Sequence, residues 1–194
     1  AMADQRRIAA AWQRHHGRVC SDTDIDRMFQ AFLPVQMNAV RQKCDLVPGA
    51  GEAVKQLRQR GVKVGSSTGY NRELTAYCLR QAAAAGLEVD AVVCADDVER
   101  ARPWPWMIYE NMRQLDVYPP SRVIKVDDTP AGVEAGRNAG CWAVGVVMTG
   151  NCVGLSHEAL EAASDQERAA LREAGKQKLL DAGAHVVIDT VAEV

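Results

Sequence analysis

The chain has no basic excess: 23 lysines and arginines stand against 25 acidic residues, for a net charge of −2. That balance removes the electrostatic argument for nucleic acid or an anionic membrane surface as partner. Long apolar runs are missing too. The longest, from Cys141 to Met148, is far too short for a bilayer and reads as a buried strand. The cysteines Cys20, Cys44, Cys78, Cys94, Cys141 and Cys152 form no CxxC pair, so neither a zinc site nor a dithiol redox motif is indicated. Several lie inside apolar patterns, where a reduced cysteine behaves as a small hydrophobe, and the compartment they imply is a reducing cytoplasm. No signal peptide, internal repeat or low-complexity segment is visible. There is no GxSxG nucleophile elbow. Asp22 to Asp26 resembles the opening of a calcium loop, but Arg27 and Leu33 occupy the positions where an EF-hand needs glycine and glutamate. His15 and His16 are adjacent, which points them in different directions on a helix, and His157 and His185 are isolated.

What remains is a soluble globular composition, 47% hydrophobic and 25% charged, in 194 residues. That length is enough to bury a core without staples. Residues 2–16, with Ile8 and Trp12 at helical spacing, predict an amphipathic helix. A second helix follows Ser21, where Ser21 and Asp24 make a capping-box-like pair, and runs toward Val40 with a kink or break expected at Pro34. From Leu46 the texture changes. Apolar runs at Val62–Ser66, Ala91–Ala95, Val123–Val126, Trp142–Val147 and Val186–Ile188 alternate with helical stretches at about 51–60, 71–85, 104–114 and 130–139. Strands alternating with helices in this way imply an α/β fold with a doubly wound parallel sheet. The last helical region is expected to split at the capping box Ser164–Glu167, with Gly183 stopping the second half. The expected organisation is a helical part over 1–45 and an α/β part over 46–194.

In such sheets ligands bind beyond the carboxyl ends of the strands. The residues there are Gly65–Tyr70, Asp96-Asp97 and Asp127-Asp128-Thr129, with Arg102-Pro103-Trp104-Pro105-Trp106 between the last two. Asp127 and Asp128 end a strand just before a helix that Thr129 would cap and Pro130 would open. Two acids there either favour the helix's positive end or hold a cation, and oxygen-only ligation suits Mg²⁺. Gly65–Tyr70 is either an ordinary strand–helix turn or a phosphate cradle of hydroxyls and amides. Arg102 is suited to bidentate phosphate or phosphonate binding; the alternative is a surface pair with Asp96, Asp97 or Glu99. Packing is the expected use of Trp104 and Trp106.

Taken together, Val64–Tyr70, Asp96-Asp97, Ala101–Met107, Ile124–Thr129, Glu134–Trp142 and Gly183–His185 resemble the phosphonoacetaldehyde hydrolase (phosphonatase) family of haloacid-dehalogenase-type enzymes. The most distinctive element is the arginine followed by Pro-x-Pro-Trp-Met, where most relatives of that type place a lysine. The resemblance implies hydrolysis of a small phosphonate, phosphonoacetaldehyde, to acetaldehyde and phosphate, with Mg²⁺ as cofactor and a homodimer formed through a helical cap. It implies Asp128 as metal ligand with Asp127 assisting. It further implies Thr68 and Gly69 on the phosphonyl oxygens, Arg102 supplying charge, and Tyr70 near the substrate. Residues 1–45 would be part of the helical cap. In the family an apolar first strand ends in Asp-x-Ala-Gly-Thr-Thr, carrying the nucleophile, and a cap lysine forms a Schiff base with the aldehyde. Neither has a counterpart here, and Lys43, Lys55 and Lys63 lie elsewhere. The expectation is a truncated gene product or partial sequence lacking the central strand, inactive alone. The competing readings are a phosphatase or mutase acting on a phosphate ester, and a non-catalytic phosphate-binding remnant.

Overall fold

The computed structural model describes residues 2–194, with side chains for 9–156 and 158–194; the side-chain placements of Ile8 and His157 fall outside the described residues. The chain divides into two compact units, Ala1–Cys44 and Asp45–Val194.

The first unit is two helices, α1 (Met2–His16) and α2 (Asp22–Gln42). Trp12 stacks on His16 with ring centroids 4.0 Å apart. Ser21 caps α2 in a full capping box with Asp24. Of the kink or break expected at Pro34, the break does not occur: α2 continues as helix on both sides of the proline. A proline here forfeits one backbone bond, and the capped helix around it is long enough to continue through the loss. Ile25, Phe29, Phe32 and Val35 recur at helical spacing along α2, and each is more than half exposed.

The second unit alternates helix and strand. In order come α3 (Ala50–Gln59), β1 (Gly65–Ser67), α4 (Arg72–Ala84), β2 (Ala91–Val93), α5 (Trp106–Leu115), β3 (Ile124–Asp127), α6 (Pro130–Asn138), β4 (Trp142–Val146), α7 (His157–Ala162), α8 (Asp165–Asp181) and β5 (Val186–Ile188). Every strand pairing is parallel. The pairings form two sheets, β1-β2 and β3-β4-β5, with no ladder joining β1 to β3 among the described residues.

The first strand starts later than its β-branched run suggests. Gly61 has φ +76°. Gly61 N–H bonds the Arg58 carbonyl and Val62 N–H the Leu57 carbonyl. Those two bonds are the Schellman closure of α3, so Val62 finishes a helix and does not begin a strand. At the far end of β2, Asp97 accepts the Cys94 amide at 2.8 Å and turns the chain into a short 3₁₀ segment, Ala95–Asp97.

Helices α5, α6 and α8 pack on the strands. Ile108 and Met112 of α5 join Ala135 of α6, its C-cap Ala139 and Cys141 in one buried cluster. Val133, Ala143, Val147 and Leu179 form a second, and all four are fully excluded from solvent. Thus α5 lies on β1 and β2 while its apolar face reaches the helix that covers β3, which ties the half-sheets together. The six cysteines are free thiols. Burial pushes the thiols of Cys94, Cys141 and Cys152 up, as expected of cysteines used as hydrophobes. Among the described residues, no helix is long and apolar enough to cross a membrane.

Candidate active site

The strand-end residues come from three elements. After β1, Thr68 N–H closes onto the Val93 carbonyl at 3.0 Å, while its hydroxyl accepts the Tyr70 amide at 3.2 Å. Because an N–H fills that acceptor position, the hydroxyl proton is free to point away toward a ligand. Gly69 is exposed, and its amide makes no hydrogen bond among the described residues. A Cβ at Gly69 would lie 2.9 Å from Arg102 Nη2, so the absence of a side chain lets the guanidinium lie against the loop backbone. Tyr70 is half-buried and its carbonyl accepts the Ala95 amide, which fixes the loop to the end of β2.

At the end of β3, Asp127 is buried and Asp128 is partly exposed. Asp127 Oδ1 accepts from the Thr129 amide (3.0 Å) and hydroxyl (2.7 Å). Its Oδ2 takes Lys125 Nζ at 2.8 Å and Arg102 Nη1 at 3.4 Å. Burial pushes the Asp127 carboxyl up, but the Lys125 charge and the bonds from Lys125 and Thr129 outweigh it and hold the group below the usual carboxylate range. The capping arrangement read from the sequence is present: Thr129 Oγ1 accepts the Gly132 amide at 3.1 Å, with Pro130 opening α6.

Asp128 has a different environment. Its Oδ2 accepts the Asn151 amide (2.8 Å) and side-chain nitrogen (2.7 Å). Its Oδ1 has no hydrogen-bond partner among the described residues. Gly150 must be small, since a Cβ there would lie 2.5 Å from Asp128 Cβ. No cluster of three metal-ligating side chains occurs among the described residues. One carboxylate with an open oxygen fits Mg²⁺, which keeps most of its waters and takes few protein ligands.

Arg102 therefore pairs with Asp127 and touches the β1 loop, not the surface acids considered as alternatives. Asp96 and Asp97 face elsewhere: Asp96 accepts the Arg72 amide at 2.8 Å, and Asp97 pairs with the Arg72 guanidinium at 2.6 Å. They fasten the start of α4. Trp104 and Trp106 do not serve the core; they are 46% and 43% exposed, with Arg100 lying over the Trp104 ring. Two site residues escaped the sequence reading. Asn151 follows β4, where the strand-end rule already pointed, and Lys125 shares a sheet face with Asp127 two residues away.

A model of the haloacid dehalogenase-like hydrolases matches residues 3–140. The chain is thus a hydrolase of that class, with parallel strands whose carboxyl ends carry the polar site. Relatives named phosphonoacetaldehyde hydrolase narrow it further. One from Paraburkholderia phytofirmans is 38% identical over 97% of this chain and 70% of its own length. Another, from Hahella chejuensis, is 41% identical over 97% of this chain and 64% of its own. The crystal structure of a phosphonoacetaldehyde hydrolase like protein from Oleispira antarctica superposes with a TM-score of 0.93 at 41% identity, covering 99% of this chain and 70% of that one. The chain belongs to the phosphonoacetaldehyde hydrolase family and spans roughly two thirds to three quarters of the length of such relatives, 64% to 74%.

Proposed function

We propose that this chain supplies the phosphonate-holding and cation-holding half of a phosphonoacetaldehyde hydrolase site. One observation carries the reading. Arg102 lies against Gly69 and also pairs with Asp127, so the β1 loop and the β3 acids form a single site. The Thr68 hydroxyl and Gly69 amide would donate to phosphonyl oxygens, and Arg102 would offset their charge. Tyr70 borders the substrate. Mg²⁺ would be held by Asp128, its open Oδ1 as the ligating atom, and when bound supplies charge neutralisation at the phosphorus group. In this reading the first unit is part of the helical cap.

The reaction is cleavage of a carbon–phosphorus bond by water, giving acetaldehyde and phosphate. In the family it needs a nucleophilic aspartate in Asp-x-Ala-Gly-Thr-Thr and a Schiff-base lysine. No residue of this sequence matches that motif. The purified chain is therefore expected to bind inorganic phosphate in a Mg²⁺-dependent way and to release no acetaldehyde from phosphonoacetaldehyde. Calorimetry with phosphate, with and without Mg²⁺, tests the first half, and an acetaldehyde assay tests the second. Binding indifferent to Mg²⁺, or measurable turnover, would overturn the reading.

Self-association through the helical unit belongs to the same proposal. Its support is the exposed apolar row Ile25, Phe29, Phe32 and Val35 on α2. Sedimentation should show a dimer that Phe29→Asp converts to monomer; a Phe29→Asp dimer would remove α2 from the interface.

A further inference from the structure

Asp127 and Lys125 are two residues apart on β3 and project toward α6. Opposite them α6 carries Gly132 and Gly136, one turn apart. A Cβ on Gly132 would overlap the Asp127 carboxyl group, and one on Gly136 would lie 2.8 Å from Lys125 Cβ. The helix has no side chains where the ion pair sits. Both charged groups are well covered, with side-chain exposures of 14% for Lys125 and 6% for Asp127. Every lone-pair position of Asp127 is engaged, by the Thr129 amide, the Thr129 hydroxyl, Lys125 and Arg102. A carboxylate in that state has no oxygen to spare for a cation.

Lys125 takes the short bond and Arg102 the long one. The lysine therefore neutralises most of Asp127 without leaving the arginine captured. Arg102 keeps one nitrogen toward Asp127 and the other against Gly69. We propose that Asp127 is a positioning residue: tethered by Lys125, it orients the Arg102 guanidinium over Gly69 for an anionic ligand, and it leaves the cation to Asp128. This rests on the half-site reading above and divides the labour of the two adjacent aspartates.

A sign test separates positioning from simple charge. Removing a negative group beside an anion site should tighten anion binding by Coulomb's law. Positioning requires the reverse. Titrated with inorganic phosphate in Mg²⁺, Asp127→Asn should bind about tenfold more weakly, the size of one lost charge-assisted contact. In an Arg102→Ala background the same change should cost less than about twofold, because two residues acting through one contact are not additive. With Mg²⁺ alone, Asp127→Asn should keep its affinity and Asp128→Asn should lose it. The paired variant Lys125→Met with Asp127→Asn preserves net charge and leaves no buried ion unpaired, so it carries the test if Asp127→Asn does not fold. It too should weaken phosphate binding. Unchanged or tighter phosphate binding, an equal loss in the Arg102→Ala background, or loss of Mg²⁺ with Asp127→Asn would each overturn the proposal. Rotation of the wild-type Arg102 guanidinium, read by arginine side-chain NMR without ligand, gives an independent arm. Hindered rotation supports the tether and free rotation refutes it, even if the wild-type chain binds no phosphate and the half-site reading itself fails.

Discussion

At the scale of single residues, charge placement sets what can be measured. Asp24 is 6% exposed and receives Arg18 at both oxygens, 2.5 and 2.8 Å, together with the Ser21 amide and hydroxyl. The Arg18 and Ser21 bonds hold its carboxyl far below the usual carboxylate range. A group depressed in the folded state contributes stability that is complete above its unfolded pKa, near ~3.9, and is lost as pH falls through the lower folded value. Acid should therefore loosen the helical unit below about pH 4. Urea midpoints followed by circular dichroism across that window should slope less in Asp24→Asn than in wild type, and parallel slopes would refute the assignment. Half of this site was legible: Ser21 and Asp24 stand three apart before an apolar helix. Arg18 was not, because its approach depends on the Gly17 turn at φ +66°, which no periodicity encodes. The candidate active site divides the same way. Thr68, Arg102 and Asp128 follow strands or motifs in sequence, whereas the Lys125–Asp127 pair depends on two glycines of a helix facing a strand.

At the scale of elements, helices were read from their stops as much as from their stripes. The capping box at Ser164 separates α7 from α8 as the Ser-x-x-Glu pattern required, with Ser164 Oγ accepting the Glu167 amide at 3.3 Å and Glu167 accepting the Ser164 amide at 2.9 Å. Ser164→Ala should destabilise the second unit by about 1 kcal/mol, and chemical denaturation should show it. Leu179, buried without remainder in the cluster with Val133, Ala143 and Val147, should cost more: about 2–5 kcal/mol for Leu179→Ala. If the two losses came out equal, α8 would not be seated on the sheet as described. Strand boundaries were harder to place. Val62 has the composition of a strand residue but serves the Schellman closure of α3, and Ala95 belongs to a 3₁₀ turn. In both cases local hydrogen bonds at an element's end outweighed β-propensity, which acts only where a pairing partner exists.

At the scale of the whole α/β unit, the decisive feature is the division of the sheet. Among the described residues, β1 pairs only with β2, and β3 only with β4. Each therefore presents one unpaired edge, and unpaired strand groups are costly unless water or another strand satisfies them. Next to β1, Asn111 on α5 grips the Ser66 carbonyl at 3.0 Å, while its buried Oδ1 has no donor among the described residues. Both half-sheets are parallel, and their carboxyl ends meet at Arg102. A single strand running parallel to both would satisfy the two edges together and deliver its own carboxyl end to the site. An antiparallel strand would point its carboxyl end away from Thr68 and Asp128. The chain alone should accordingly melt low and broadly. A peptide bearing an apolar strand that ends in Asp-x-Ala-Gly-Thr-Thr, added in trans, should raise the melting temperature in a concentration-dependent way. At a hundred times its dissociation constant the gain approaches about 2.7 kcal/mol. A peptide of the same composition in scrambled order should do much less, because register decides which side chains face the core. A sharp, high transition for the chain alone, unmoved by the peptide, would mean that β1 and β3 are true sheet edges, and the reading of a central strand between them would fall.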